Sequence, residues 1–82
     1  MFLYGIYDKK ADAYVDFMFS RHAAEIVRMC GMLVNRDGSI QHAYADDFDV
    51  RKLAEIDEKS GEVIPGIEHI AYFGALLSDD ED

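Results

Sequence analysis

Few residue types here are spaced for chemistry. The three histidines, His22, His42 and His69, fall on separate segments with no ligand spacing, so surface or packing roles are expected and no metal site. Asp46-Asp47-x-Asp49 offers carboxylates, but it lacks the glycine and terminal glutamate of a calcium loop. The single cysteine, Cys30, lies in an apolar helical stripe and reads as a core thiol rather than a nucleophile. No phosphate-cradling glycine loop, nucleophile elbow or paired catalytic carboxylates are present, so neither enzymatic activity nor a cofactor is expected. What remains is a set of aromatics beside cations in the N-terminal half. Tyr7 and Tyr14, with Lys9, Lys10, Arg21 and Arg28, are the candidate contacts to single-stranded DNA, because strand aromatics stack bases and cations meet phosphates. The plainer reading is that about half of the strand aromatics fill the core.

Charge limits that reading. The 82 residues carry 17 acids against 8 bases, a net charge of −9. Residues 1–36 hold four acids and five bases, a balance of +1; residues 37–82 hold thirteen acids and three bases, a balance of −10. A protein that grips duplex DNA over a broad face needs a basic domain, and this chain has none. Any contact must be local, on the hairpin turn and the outer helix face. No apolar run approaches the roughly 18–20 residues that span a bilayer. Met1-Phe2-Leu3-Tyr4, followed by Asp8-Lys9-Lys10, lacks the order of an export signal. With one cysteine, a reducing cytoplasmic setting and no membrane are expected.

The elements that position these residues follow from periodicity. Phe2 to Asp8 alternates with apolar groups on both sides, which predicts a central strand. Asp8 to Asp12 reads as a turn. Ala13 to Phe19 alternates again, Ala13, Val15, Phe17 and Phe19 against Tyr14, Asp16 and Met18. Ser20 is placed to cap a helix whose stripe is Ala23, Ile26, Val27, Cys30, Leu33 and Val34, ended by Asn35 and Asp37-Gly38. Residues 36–47 read as a polar loop. Phe48, Val50, Ala54 and Ile56 share a face of a third strand, with Leu53 out of phase, which leaves a bulge or a second buried face as the readings there. Glu62-Val63-Ile64 predicts a short fourth strand stopped by Pro65-Gly66, and residues 67–77 a short helix or arm.

The expected fold is α+β. It is a four-stranded, mainly antiparallel sheet, ββαββ with order 2-1-3-4, one helix packed on a face, and a short C-terminal helix or arm. Residues 1–77 form a single domain and 78–82 an acidic disordered tail. One sheet face stays uncovered unless the arm or a second subunit packs there, so a homo-oligomer, in its simplest form a dimer, is expected.

The order of these elements resembles a known family. Tyr7-Asp8-Lys9-Lys10-Ala11, Ala13-Tyr14, Phe17 to Phe19, Ala24-Glu25-Ile26-Val27-Arg28-Met29 and Val34-Asn35 are similar to the small non-structural protein of gokushoviruses. These are tailless single-stranded-DNA bacteriophages of the microvirus group. His42, Asp47-Phe48, Asp57 and Gly61 continue the likeness, which spans roughly residues 1–70. Two features depart from it: no Pro-Glu follows His42, and Ala54 stands where the family has glycine. The resemblance implies a protein absent from the virion, acting in the host cytoplasm during viral DNA replication. Its members are labelled DNA-binding and are thought to favour single-strand synthesis and packaging; no catalytic residue carries over. Two functions follow as expectations. One is a replication accessory that contacts single-stranded DNA. The other is a protein-binding adaptor, homo-oligomeric, acting on the replication initiator or a host factor.

Overall fold

The computed structural model describes residues 1–78. Strands β1 (Phe2–Asp8), β2 (Ala13–Ser20), β3 (Phe48–Ile56) and β4 (Val63–Tyr72) form one antiparallel sheet in the order β2-β1-β3-β4. Helix α1 (Ala23–Val34) connects β2 to β3, across the central β1. Architecture and strand order are those expected from the pattern. Of the acidic tail expected over 78–82, Ser78 is described and its amide is bonded to Asn35, while residues 79–82 lie outside the described residues.

The core explains the layering. Tyr4 and Ile6 of β1, Phe48 and Val50 of β3, and Ile26, Cys30 and Val34 of α1 are all buried in one cluster. The spacing 26-30-34 places one helix stripe on the sheet, as a 3.6-residue period requires. Asn35 ends the helix and ties the segment after β4 to it: its side-chain amide donates to the carbonyls of Gly31 (2.7 Å) and Leu76 (2.9 Å), and its oxygen accepts from the Ser78 amide (2.7 Å).

Four local features differ from the sequence reading. Ser20 does not cap α1; it is still paired with Phe2 as the last residue of β2, and His22 takes the cap position. The Ser20 hydroxyl instead accepts from the His22 amide (3.1 Å) and bonds the Glu25 carboxylate (2.5 Å). The polar loop contains a short helix α2 (Ile40–Ala43), capped by the Ser39 hydroxyl accepting from His42 N (2.9 Å), and a 3-10 turn, Ala45–Asp47. Pro65-Gly66 does not end β4. As an edge strand, β4 tolerates a residue without an N–H, and it runs on to Tyr72. Beyond it a 3-10 turn, Phe73–Leu76, folds Phe73 fully into the core beside Phe48 (ring centroids 5.9 Å). The turn Phe73–Leu76 therefore packs on the same side as α1, and among the described residues no element covers the opposite sheet face.

Register irregularities shape that open face. In β1–β2, Ile6 faces Asp16 while Tyr7 faces Tyr14, so Val15 is an extra residue. The predicted alternation put Tyr14 opposite in facing to Phe17; the bulge reverses the parity and sets the two rings stacked at 6.0 Å. In β1–β3, Leu3 faces Ala54 and Tyr4 faces Lys52, so Leu53 is a bulge, the first of the two readings open there; in β3–β4, Val50 faces Ala71 and Arg51 faces His69, so Ile70 is an extra residue.

Candidate nucleic-acid interface

The hairpin turn after β1 is built locally. Asp8 Oδ1 accepts from the amides of Lys10 (2.9 Å) and Ala11 (3.3 Å), and Asp12 adopts a left-handed backbone (φ 55°), a conformation aspartate tolerates. That turns the Asp12 carboxylate to the Tyr7 hydroxyl, which donates to it and whose pKa is thereby raised. Tyr7 then packs edge-on to Tyr14 (5.1 Å between centroids).

From this corner the rings cross the sheet. Tyr14, Tyr7, Asp49 and Tyr72 are neighbours through the β2-β1-β3-β4 pairings, and Phe17, Gly5, Arg51 and His69 are the next such row. The Arg51 guanidinium lies over Tyr7 at 4.1 Å from the ring centroid, and 5.9 Å from that of Tyr14. Its Nε donates to Asp49 Oδ2 (3.0 Å) and its Nη1 to the Tyr14 hydroxyl (3.4 Å). The Tyr14 bond first, and the Asp49 bond less strongly, raise the Arg51 pKa, so the group stays a cation at any ordinary pH. His69 Nε2 stands 3.3 Å from the same Asp49 oxygen, and the His69 ring packs on Tyr72 at 4.1 Å. Lys9 completes the far end, its ammonium 5.6 Å from the Tyr72 centroid.

Gly5 makes the flat surface possible. A Cβ built there would stand 2.8 Å from Tyr14 Cδ2 and 2.9 Å from Leu53 Cδ1, so the bare strand backbone is what the Tyr14 ring and Leu53 lie on. Phe17 and Phe19 extend the face toward the other end of β2, at 56% and 61% exposure.

The residues proposed from sequence are divided by the fold. Tyr7, Tyr14 and Lys9 meet on the open face. Lys10 is exposed in the hairpin turn, beside a cavity of about 380 Å³ that it lines with Tyr44 and Asp46. Arg21 sits past the opposite end of β2 and is engaged by Glu58 (2.5 and 3.1 Å), which also meets the N-terminal ammonium (3.4 Å). Arg28 is exposed on α1, on the covered side of the sheet. Five contributors escaped the sequence reading: Gly5, Asp49, Arg51, His69 and Tyr72. Two signals were available, a glycine inside a two-sided strand and the period-two pair Asp49/Arg51. His69 and Tyr72 carried none, because the strand holding them was expected to stop at Pro65.

Among the described residues no group of three or more His, Cys, Asp or Glu side chains is arranged to hold a metal. No helix among them is long and apolar enough to cross a membrane. The Cys30 thiol, buried and facing the Asp16 charge, is pushed up to about 11, desolvation being the larger cause; at neutral pH it is a thiol inside the core.

A family model described as phage ORF5 protein matches residues 1–76. The chain belongs to this phage protein family. It is therefore a phage accessory protein, and the match takes in all four strands, α1 and the final 3-10 turn. Comparison with curated protein sequences and with solved structures returned no match.

Proposed function

We propose that this phage protein binds single-stranded DNA on its open sheet face during genome replication and packaging in the host cytoplasm. The observation that carries the reading is the row of rings around one guanidinium, crossing all four strands on a face that no described element covers. Bases stack on Phe17 and Tyr14 on one side of the Tyr7–Arg51 pair and on His69 and Tyr72 on the other, each stacked base contributing about 1–3 kcal/mol. The charge distribution is compatible with this on one condition. The face carries a single acid in those two rows, Asp49, and it is buried against Arg51. The remaining charge, −9 in total, still repels the phosphate backbone at long range. Affinity therefore comes from stacking rather than counterion release, and it should change little with salt.

Fluorescence anisotropy of a labelled oligonucleotide at about 50 mM and about 200 mM salt tests this, with binding and a shallow salt slope expected. Unchanged anisotropy at low salt with tens of micromolar protein would refute it. A second reading is favoured by one observation, the exposure of Phe17 and Phe19 at the end of the face away from Lys9. In it the chain is an adaptor that pairs with a second copy, or with the phage replication initiator or a host protein, through that apolar end. A monomeric mass by light scattering, together with no initiator retained in a pull-down after nuclease treatment, would remove this second reading.

A further inference from the structure

We infer that Asp49 is a positioning residue of this surface: it holds the Arg51 guanidinium over the Tyr7 ring, so that the guanidinium is ready to stack a base and its unengaged N–H groups to meet a phosphate. The inference rests on the single-stranded-DNA reading above and says how that site is preorganised. Asp49 is an anomaly on a solvent-facing sheet surface, a carboxylate with 1% of its area exposed. Burying a charge is costly and is tolerated only when partners compensate it. Here both partners sit on one oxygen: Oδ2 takes Arg51 Nε at 3.0 Å and His69 Nε2 at 3.3 Å, while buried Oδ1 has no hydrogen-bond partner. Among the described residues, the side-chain contacts of this buried carboxylate are therefore confined to Arg51 and His69 on the open face.

The geometry around Arg51 agrees. Nε is held by Asp49, Nη1 by the Tyr14 hydroxyl, and Tyr7 supports the guanidinium from beneath at 4.1 Å. Nη2 makes no bond to any described residue and is the donor left for a ligand. A long arginine side chain loses considerable rotamer freedom when it binds; one already fixed by three neighbours loses little, which is how preorganisation raises affinity.

The test exploits a reversal of sign. Asp49→Asn removes a negative charge from a −9 protein, so electrostatics alone predicts tighter binding to an anionic oligonucleotide. The positioning role predicts the opposite, a loss of about tenfold, what one stacked base is worth. Binding by the variant as tight as or tighter than that of the wild-type chain overturns the inference. A second variant guards against misfolding: Arg51→Lys keeps the charge but cannot lie flat across the ring, and should lose the same factor. In that background, adding Asp49→Asn should cost nothing more; an additive loss counts against the inference. A ligand-free measurement separates the two layers. The Arg51 Nε–H resonance should be sharp and slowly exchanging in the wild-type chain and lose that protection in Asp49→Asn. Equal protection in both overturns the positioning role, whereas an oligonucleotide that fails to bind the wild-type chain refutes the functional reading alone.

Discussion

Gly5→Ala is the substitution that tests the open face most directly, because the structure states what the new methyl group would meet. It would lie 2.8 Å from Tyr14 Cδ2 and 2.9 Å from Leu53 Cδ1, about 1 Å inside the 3.5–4.0 Å at which carbon pairs rest. Leu53 Cδ1 is the tip of a flexible side chain, and turning it aside costs roughly 0.5–1.5 kcal/mol. Tyr14 Cδ2 belongs to a rigid ring wedged among Tyr7, Phe17 and Arg51, so the ring must swing as a whole. Overpacking of this kind costs about 1–3 kcal/mol, against which replacing a strand glycine returns roughly 0.5–1 kcal/mol of backbone entropy. The net expectation is a loss of about 1–2 kcal/mol, hence a fall of about 5–15 °C in Tm for a domain of this size. Thermal denaturation followed by circular dichroism reads it. The decisive arm is a double-mutant cycle: in a Tyr14→Ala background the ring is gone, and Gly5→Ala should become neutral or stabilising. Additive effects, or a Tm for Gly5→Ala equal to wild type, would refute the argument that Gly5 exists to seat that ring.

Three further outcomes follow from the packing and the charges. Phe73→Ala empties a fully buried ring site beside Phe48 and should cost roughly 3–5 kcal/mol, a large share of the roughly 4–12 kcal/mol expected for a domain this size; urea denaturation should show the midpoint falling accordingly. Cys30 should resist thiol reagents at neutral pH in the native protein and react fully in denaturant; rapid native labelling would contradict its burial. Asp57 accepts from the amides of Lys59 (2.9 Å) and Ser60 (3.2 Å), and these bonds hold its pKa below the usual carboxylate range. A depressed folded-state value means stability that is present above the ordinary carboxylate range and lost as pH falls through the folded value. Asp57→Ala should therefore be less stable than wild type near neutral pH, with the gap closing in acid; a gap independent of pH would rule this out.

The architecture was legible because it depends on periodicity alone. Apolar groups on both sides of Phe2–Asp8 require a neighbour on each edge of β1, and one stripe at 26, 30 and 34 requires a single helix on one face. Those two facts lead to the order 2-1-3-4 without knowledge of any contact. The hairpin corner was legible too, since Tyr7, Lys9 and Tyr14 lie within eight residues of one another. Arg21 and Arg28 show the limit of sequence proximity. They follow the hairpin closely in the chain, yet Arg21 is bound to Glu58 past the far end of β2 and Arg28 rides on the opposite layer.

The rest was decided by register. Alternation assigns a residue to a face only while every pairing is one to one, and a single extra residue reverses the assignment for everything beyond it. Val15 is such a residue, and it alone brings Tyr14 to the face of Phe17 and Arg51. β4 continues through Pro65 because its place at the sheet edge makes a missing N–H harmless there, and a register shift that leaves Ile70 as an extra residue then brings His69 to the face of Tyr72 and Asp49. Composition and periodicity determined the layers, the strand order and the aromatic corner of this protein. Register shifts in all three strand pairings and one edge position, which depend on how strands pair rather than on what they contain, decided which side chains share its open face.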